Sequence, residues 1–100
     1  MRIISRKILL DYGKKHPASE QPLKVWFDEV RNAKWKSPND LKTQYRNASI
    51  ITAKRVVFNI KGNSFRLVVD IEYKIGIAFI VWIGTHEEYN KINVMEVVYE

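Results

Sequence analysis

The stretch at residues 55–89, RVVFNIKGNSFRLVVDIEYKIGIAFIVWIGTHEEY, decides the fold because apolar and polar side chains alternate through most of its length. Alternation with a period of two predicts β-strands. Two short segments interrupt the pattern, residues 61–64 and residues 74–76. Gly62 and Asn63 in the first, and Gly76 in the second, tolerate the positive φ angles of tight turns. We therefore predict an antiparallel strand meander that ends in a helical turn.

These turns also predict which residues face each other across the strands. A first hairpin with residues 61–64 as its loop places Asn59 opposite Arg66. A second hairpin with residues 74–76 as its loop brings Arg66 beside Gly84. Polar groups are therefore expected to gather at one end of the sheet: Asn59, Lys61, Arg66 and the segment Gly84-Thr85-His86.

The opposite face of the predicted sheet is almost wholly apolar. Its members are Phe58, Leu67, Val69, Phe79, Val81 and Ile83. Such a face must be covered by another layer, and the preceding half of the chain has the periodicity of helices. We therefore expect an α+β fold in which these helices cover the apolar face.

The N-terminal residues predict an edge strand and a first helix. Residues 1–4 are short and apolar enough for the strand. Ser5 is a candidate cap for a helix that runs to about His16 and stops at Pro17.

Two further helices are predicted before residue 55. The second begins near Ser19, and its apolar residues follow the spacing of a core-facing helix: Leu23, Trp26, Phe27 and Val30. The third begins at Ser37, which is followed by proline, and runs to Tyr45. Residues 46–52 form either a connection or the start of the first long strand.

Lys34-Trp35-Lys36 supports two interpretations. A tryptophan between two lysines can stack on a base while the lysines hold phosphates. It can equally close the edge between helices and sheet, with the lysines in solvent.

At the other end of the chain, Thr85 and Glu88 have the spacing of a capping box, which predicts a helix from His86 to about Ile92. The tail at residues 93–100 either extends this helix or adds a short strand.

Composition narrows the class of protein. The length of 100 residues predicts one domain, residues 1–100. The chain has no cysteine, so a disulfide framework or a thiolate metal site is excluded. No apolar run approaches the roughly 20 residues of a membrane span, and the charged N-terminus is unlike a signal peptide. We expect a cytoplasmic protein that needs no membrane, metal or cofactor.

Positive charge is concentrated in the first half of the chain. The formal net charge is +6, and residues 1–50 hold 11 Lys and Arg against 5 Asp and Glu, whereas residues 51–100 hold 6 of each. A basic surface favours polyanionic partners such as nucleic acid, although solvated lysines on helices explain part of it equally well.

Two blocks of the chain resemble the HigB family of toxins. They are FNIKGNSFRLVV at residues 58–69 and WIGTHEEYNKI at residues 82–92. HigB proteins are ribosome-associated mRNA endoribonucleases of type II toxin–antitoxin systems. The resemblance implies a RelE-like fold, with N-terminal helices packed on one face of a mainly antiparallel sheet of three or four strands and a short C-terminal helix. It also implies two partners, mRNA on the ribosome and a cognate HigA-type antitoxin with a helix-turn-helix domain.

The polar cluster contains the groups that metal-independent RNA cleavage requires. The reaction needs a base for the 2′-OH proton, positive charge on the phosphate and an acid for the leaving oxygen. Arg66 suits the phosphate, Lys61 adds charge or a proton, and His86 with Tyr89 suits proton transfer. Asn59, Asn63 and Trp82 complete the predicted RNA contacts, together with Lys34, Trp35 and Lys36.

Each role has a plainer alternative. Arg66 can pair with Glu87 or Glu88, Asn63 is a common turn residue, and a histidine at a helix start is often only a surface residue. At the level of function, the alternatives are a basic RNA-binding module without catalysis and a structural domain whose sheet edge accepts a partner strand.

Overall fold

One five-stranded sheet organises the computed structural model, which describes residues 1–98, and helices cover one of its faces. The spatial order of the strands is β1-β5-β4-β3-β2. The strands are β1 (Arg2–Ile4), β2 (Ser49–Ile50), β3 (Arg55–Ile60), β4 (Phe65–Glu72) and β5 (Ile77–Thr85). The helices are α1 (Arg6–Lys15), α2 (Pro17–Arg31), α3 (Pro38–Gln44) and α4 (His86–Tyr89).

The predicted α+β architecture is confirmed, but the sheet has more strands than the expected three or four. The meander β3-β4-β5 is antiparallel, and β1 adds to its outer edge in parallel with β5. The extra member is β2, which has only two residues and pairs with β3 at the opposite edge. A strand this short carries no periodic pattern, which is why the sequence left residues 46–52 undecided.

The first hairpin has the predicted register, with Asn59 opposite Arg66. The second turn is longer than predicted, because β4 and β5 first pair at Glu72 and Ile77, not at Tyr73. A β-bulge between Val68 and Val69 then inserts one unpaired residue into β5. These two changes cancel beyond the bulge, so Arg66 lies opposite Gly84 as predicted.

The bulge corrects the predicted composition of the apolar face. The residues of β5 that precede the bulge face the side of the sheet opposite to the one predicted. Ala78 and Ile80 therefore join the main core under the helices. Phe79 and Val81, which were expected there, lie on the other face. Val81 packs with Val57 and Val68 in a second cluster, and Phe79 is 38% exposed.

Helix boundaries agree with the sequence at α1 and α3 and differ at α2. Ser37 accepts the predicted capping bond from the Asp40 N–H. Ser5 occupies the cap position of α1, but it has a left-handed backbone and makes no side-chain capping bond. The second helix begins at Pro17, because proline suits the first helical position and does not merely end α1.

The helices bury a compact aromatic core against the sheet. Trp26 on α2 is 2% exposed and meets the Phe58 ring edge to face, with centroids 5.3 Å apart. Val30 and Leu41 are fully buried from α2 and α3. This layer covers the helix-facing side of the meander and holds it in place.

The other face of the sheet is partly covered by the chain that follows α4. Val94 and Val97 pack with the second cluster of Val57, Val68 and Val81. This segment consists of turns, so it is neither a longer helix nor a strand as predicted, and α4 ends before Ile92. Tyr99 and Glu100, the end of that predicted tail, lie outside the described residues. No helix among residues 1–98 is long and apolar enough to cross a membrane.

The buried centre of β4 should dominate stability. We expect Leu67→Ala, at a fully buried position, to lower the free energy of unfolding by about 2–5 kcal/mol. Ile75→Ala is the control, because Ile75 is 68% exposed and its truncation should change stability by less than about 0.5 kcal/mol. Urea denaturation measures both, and equal effects would contradict the described core.

Candidate active site

Three adjacent strands place polar groups at one end of the sheet, on the face away from the helices. Asn59 on β3, Arg66 on β4 and Gly84 on β5 are direct neighbours across the strands. Asn59 is half-buried, and its side-chain amide donates to the Asn47 main-chain oxygen at 3.4 Å. The predicted convergence at this end is therefore confirmed for these three positions.

Arg66 is the principal cationic group of this end. Its Nη1 donates to the main-chain oxygens of Asn63 at 3.2 Å and of Phe65 at 3.4 Å. Within residues 1–98, Arg66 forms no ion pair. The structure therefore lacks the alternative pairing of Arg66 with Glu87 or Glu88. The hairpin therefore orients the guanidinium while its charge stays available for an anion.

Two aromatic rings lie beside Arg66. The guanidinium carbon is 6.0 Å from the centre of the Tyr89 ring, and the Trp82 ring is 6.3 Å from that of Tyr89. Both rings are half-buried against the second cluster. A Cβ added at Gly84 would lie 2.6 Å from Trp82 Cζ2, so the indole packs directly over this glycine. This close approach requires a residue without a side chain.

A main-chain hydrogen bond fixes the position of His86. Its N–H donates to the Ser64 oxygen at 3.1 Å, which ties the start of α4 to the β3–β4 loop. The predicted capping box is present: Thr85 Oγ1 accepts from the Glu88 N–H at 3.1 Å, and Glu88 Oε1 accepts from the Thr85 N–H at 2.7 Å. The imidazole itself is exposed and can meet a ligand.

Lys61 and Asn63 belong to the same loop as the Arg66 contacts. Positive φ angles occur at Gly62 (61°), as predicted, and at Lys61 (53°), whereas Asn63, which would tolerate one, has none. Asn63 contributes its main-chain oxygen to Arg66. The Lys61 side chain is exposed on the loop that adjoins Ser64 and thus the start of α4.

The Lys34-Trp35-Lys36 segment is not part of this cluster. Trp35 is 5% exposed, its Nε1 donates to Gln44 Oε1 at 3.0 Å, and its ring packs near Phe58 on the helix side of the sheet. A base cannot stack on a ring buried in this way, so the predicted base contact of Trp35 is corrected to a core role. Lys34 and Lys36 are exposed beside it, across the sheet from Arg66.

One residue near this end was not predicted from the sequence. The His16 ring stacks on Tyr12, with centroids 4.1 Å apart, and meets Phe65 at 6.3 Å. Phe65 pairs with Thr85, so the end of α1 adjoins the start of α4. Spacing along the chain gives no sign of this contact, because it depends on how α1 crosses the sheet. In the described part of the chain, no group of three His, Cys, Asp or Glu residues is placed to hold a metal.

Comparisons with known proteins show which family the sequence resembles. Residues 19–92 match the family model of the HigB toxin, described as the RelE-like toxic component of a toxin–antitoxin system. The chain is 27% identical over 92 residues to the mRNA interferase toxin HigB of Escherichia coli K12, covering 90% of this chain and 88% of that protein. The mRNA interferase HigB of Shigella flexneri has the same identity and coverage. The matched region contains the whole β3-β4-β5 meander and α4.

Gly84→Ala tests the packing of Trp82. The new methyl group must displace the indole, so we expect a loss of about 1–3 kcal/mol in unfolding free energy and a changed environment of Trp82 and Tyr89. Gly13→Ala is the control, because a Cβ there meets its nearest atoms at 3.4 Å within a helix and alanine favours the helix by about 1 kcal/mol. If Gly84→Ala were as stable as Gly13→Ala, Trp82 could not lie where the structure has it.

The capping box should give stability that depends on pH. The hydrogen bond from the Thr85 N–H lowers the pKa of Glu88 below its ordinary value of 4.5, and the Thr85 hydroxyl and the nearby His16 act in the same direction. Because the pKa of Glu88 is lower in the folded state, the capping box contributes its full stabilisation above about pH 4.5. This contribution is lost as pH falls through the folded-state pKa of Glu88.

We therefore expect Glu88→Gln to destabilise the fold near neutral pH and to differ less from the wild type as pH falls below about 4.5. Urea denaturation over a pH series measures this difference. Glu88→Gln keeps an acceptor for the Thr85 N–H but removes its charge, whereas Glu87→Gln removes a neighbouring charge outside the capping box and serves as the control. If the difference in unfolding free energy between the wild type and Glu88→Gln grew as pH fell, the prediction would be wrong.

Proposed function

The chain belongs to the HigB family, the RelE-like toxic components of toxin–antitoxin systems, and on that premise we propose that it is an mRNA interferase that cleaves translated mRNA on the ribosome. The observation that carries the proposal is Arg66. Its guanidinium is oriented by the hairpin, forms no ion pair within residues 1–98 and lies beside Tyr89 at the end of the sheet. A permanent cation in this setting suits a phosphodiester.

The proposed reaction is attack by the 2′-OH on the adjacent phosphorus. The 2′ oxygen loses its proton to a base and bonds to phosphorus, and the bond from phosphorus to the 5′ oxygen breaks. The leaving oxygen takes a proton from an acid. The products are a 2′,3′-cyclic phosphate and a 5′-hydroxyl, and negative charge increases on the phosphate oxygens in between. Arg66 is proposed to stabilise that charge.

Proton transfer is assigned to His86 and Tyr89, with Lys61 as a second source of positive charge or of a proton. The support is their placement. The start of α4, with His86, is bonded to the loop that carries Lys61, and Tyr89 lies on the same short helix near Arg66. Histidine is suited to this work because its ordinary pKa is close to neutral.

The remaining RNA contacts divide into two groups. Trp82, Asn59 and Asn63 adjoin Arg66, and we assign them to the nucleotides next to the cleaved bond. Lys34 and Lys36 are on the helix side of the sheet, so they are assigned to nucleic-acid backbone away from the reaction. Trp35 has no part in binding because it is a core residue.

The openness of this site supports the proposed dependence on the ribosome. The proposed groups lie on a sheet end and a surface loop, and His86 and Lys61 are exposed. Such a surface orients a flexible RNA poorly by itself. A ribosome that presents the message in a fixed conformation would supply the orientation, which is a large part of the rate advantage in such reactions.

The family defines its members as one component of a toxin–antitoxin system, so an antitoxin is the expected protein partner. We propose that this antitoxin is of the HigA type with a helix-turn-helix domain. Because translated mRNA is the proposed substrate, the cytoplasm is the proposed site of action.

Arg66→Ala tests the proposal with programmed ribosomes and defined mRNA. We expect wild-type protein to cleave the ribosome-bound message and to leave the same RNA nearly intact when ribosomes are omitted. Removal of one stabilising cation should reduce the cleavage rate about 100- to 1,000-fold. Arg2→Ala is the matched control, because Arg2 is an exposed arginine that pairs with Ile77 at the opposite end of β5.

Equal losses in both variants would indicate that general positive charge, not the sheet-end site, supports activity. Binding of wild-type protein to ribosomes without cleavage would favour a basic RNA-binding module. Strong cleavage of free RNA would contradict the proposed ribosome dependence.

A further inference from the structure

The chain after α4 crosses the face of the sheet that carries the proposed site. This C-terminal tail, residues 90–98, is a series of turns whose hydrogen bonds are mostly local. Ile92 N–H donates to Tyr89 at 3.2 Å, and Val97 N–H donates to Asn93 at 2.9 Å. Such turns have little stability of their own, so the position of the tail must be set by contacts with the sheet.

Arg55 supplies the polar part of these contacts. Its Nε and Nη2 donate to the two carboxylate oxygens of Asp70, each at 2.7 Å. Its Nη1 donates to the main-chain oxygen of Val94 at 3.1 Å and also to that of Val97. One guanidinium therefore joins the β3–β4 pair to two points of the tail.

Because Arg55 is buried, its N–H donors need hydrogen-bond acceptors within the protein. The Arg55 side chain is 11% exposed, and Arg55 is the charged residue that is buried among residues 1–98. The hydrogen bonds that Arg55 donates to Asp70 raise the pKa of the guanidinium, which stays fully charged. A planar fork with donors on both sides can bind a carboxylate through two parallel hydrogen bonds and still donate to main-chain oxygens. Lysine presents its three donors from one nitrogen, so it cannot form the two parallel bonds to Asp70 and reach the tail oxygens in the same way.

The same tail segment packs against the valine cluster that also supports the rings of the proposed site. Val94 and Val97 pack into the second cluster, which Trp82 and Tyr89 also join. Tyr89 is the last residue of a helix only four residues long, so packing must fix its orientation. Tyr89 in turn lies beside the Arg66 guanidinium. Contacts thus run from Arg55 to the tail, from the tail to the cluster of Val57, Val68 and Val81, and from that cluster to Tyr89 and Arg66.

We propose that Arg55 is a positioning residue for the cleavage reaction, which anchors residues 94–97 to the sheet and thereby holds Trp82 and Tyr89 beside Arg66. The proposal rests on the function proposed above. Arg55 does not contact the RNA in this account, because it is buried and its charge faces Asp70. Its loss should therefore slow the chemical step and leave binding to the ribosome unchanged.

The test compares Arg55→Met with Lys54→Met. Lys54 precedes Arg55 and forms an exposed ion pair with Glu72 on the same neighbouring strand, but it forms no hydrogen bond with residues 90–98. Single-turnover cleavage on programmed ribosomes gives the maximal rate and the ribosome concentration at half-maximal rate. Arg55→Met should lower the maximal rate about 100-fold, the effect expected when reacting groups are slightly misplaced. The ribosome concentration at half-maximal rate should be the same for Arg55→Met and the wild type. Lys54→Met should match the wild type in both its maximal rate and this concentration.

A spectroscopic measurement reports the position of the rings without any activity. The chain has 3 tryptophans, and Trp82 is the half-buried one beside the tail. Its indole N–H signal in an NMR spectrum should shift in Arg55→Met, whereas the signals of the buried Trp26 and Trp35 should not. Arg55→Lys should shift the signal in the same way, because an ammonium lacks the planar fork that binds Asp70 bidentately while it donates to the tail.

Wild-type cleavage by a folded Arg55→Met would overturn the proposal, and so would lost cleavage with an unmoved Trp82 signal. If Arg55→Met does not fold, the double variant Val94→Ala/Val97→Ala replaces it, since it loosens the tail and leaves the ion pair intact. An unchanged rate in that variant would also overturn the proposal. If wild-type protein cleaves nothing on ribosomes, the proposed function fails first, and the Trp82 signal alone then decides whether Arg55 positions the rings.

Discussion

The structure depends on the pairing of β4 with both of its neighbours. This pairing places Arg66 between Asn59 and Gly84, and a β-bulge at Val68 and Val69 restores the register that the longer second turn would shift. A displacement of one residue in either hairpin would turn Arg66 toward the helix side and bury its charge. The geometry of the proposed site is therefore a direct consequence of strand register.

Two different layers stabilise the two faces of this sheet. The helices cover one face with a large apolar core that includes Trp26 and Phe58. On the other face, residues 1–98 provide a small valine cluster, a short helix and the tail at residues 90–98, joined by the buried Arg55. The sheet end is thus packed against a large core on the helix side, whereas its polar side chains lie on the face with the small cluster. An open surface of this kind is suited to a large substrate that arrives already ordered, as mRNA does on a ribosome.

Much of this arrangement could be predicted from local sequence. Alternation and turn residues predict the first hairpin, the polar end and the capping box of Thr85, because each depends on neighbours a few residues apart. The bulge could not be predicted, since Ile80 and Val81 suit either face equally well. Trp35 was ambiguous because burial of an indole depends on distant partners such as Gln44. The tail contacts of Arg55 span about forty residues of sequence, and no local pattern encodes them.

The chemical identity of the cleaved ends tests the central claim most directly. After induction of the chain in cells without its antitoxin, message ends within translated regions can be captured by ligations specific for a 5′-hydroxyl or a 5′-phosphate. Attack by the 2′-OH predicts new 5′-hydroxyl ends, matched by upstream 2′,3′-cyclic phosphates. New ends that carry 5′-phosphates would contradict the account, because they require a water nucleophile that the groups around Arg66 are not proposed to activate.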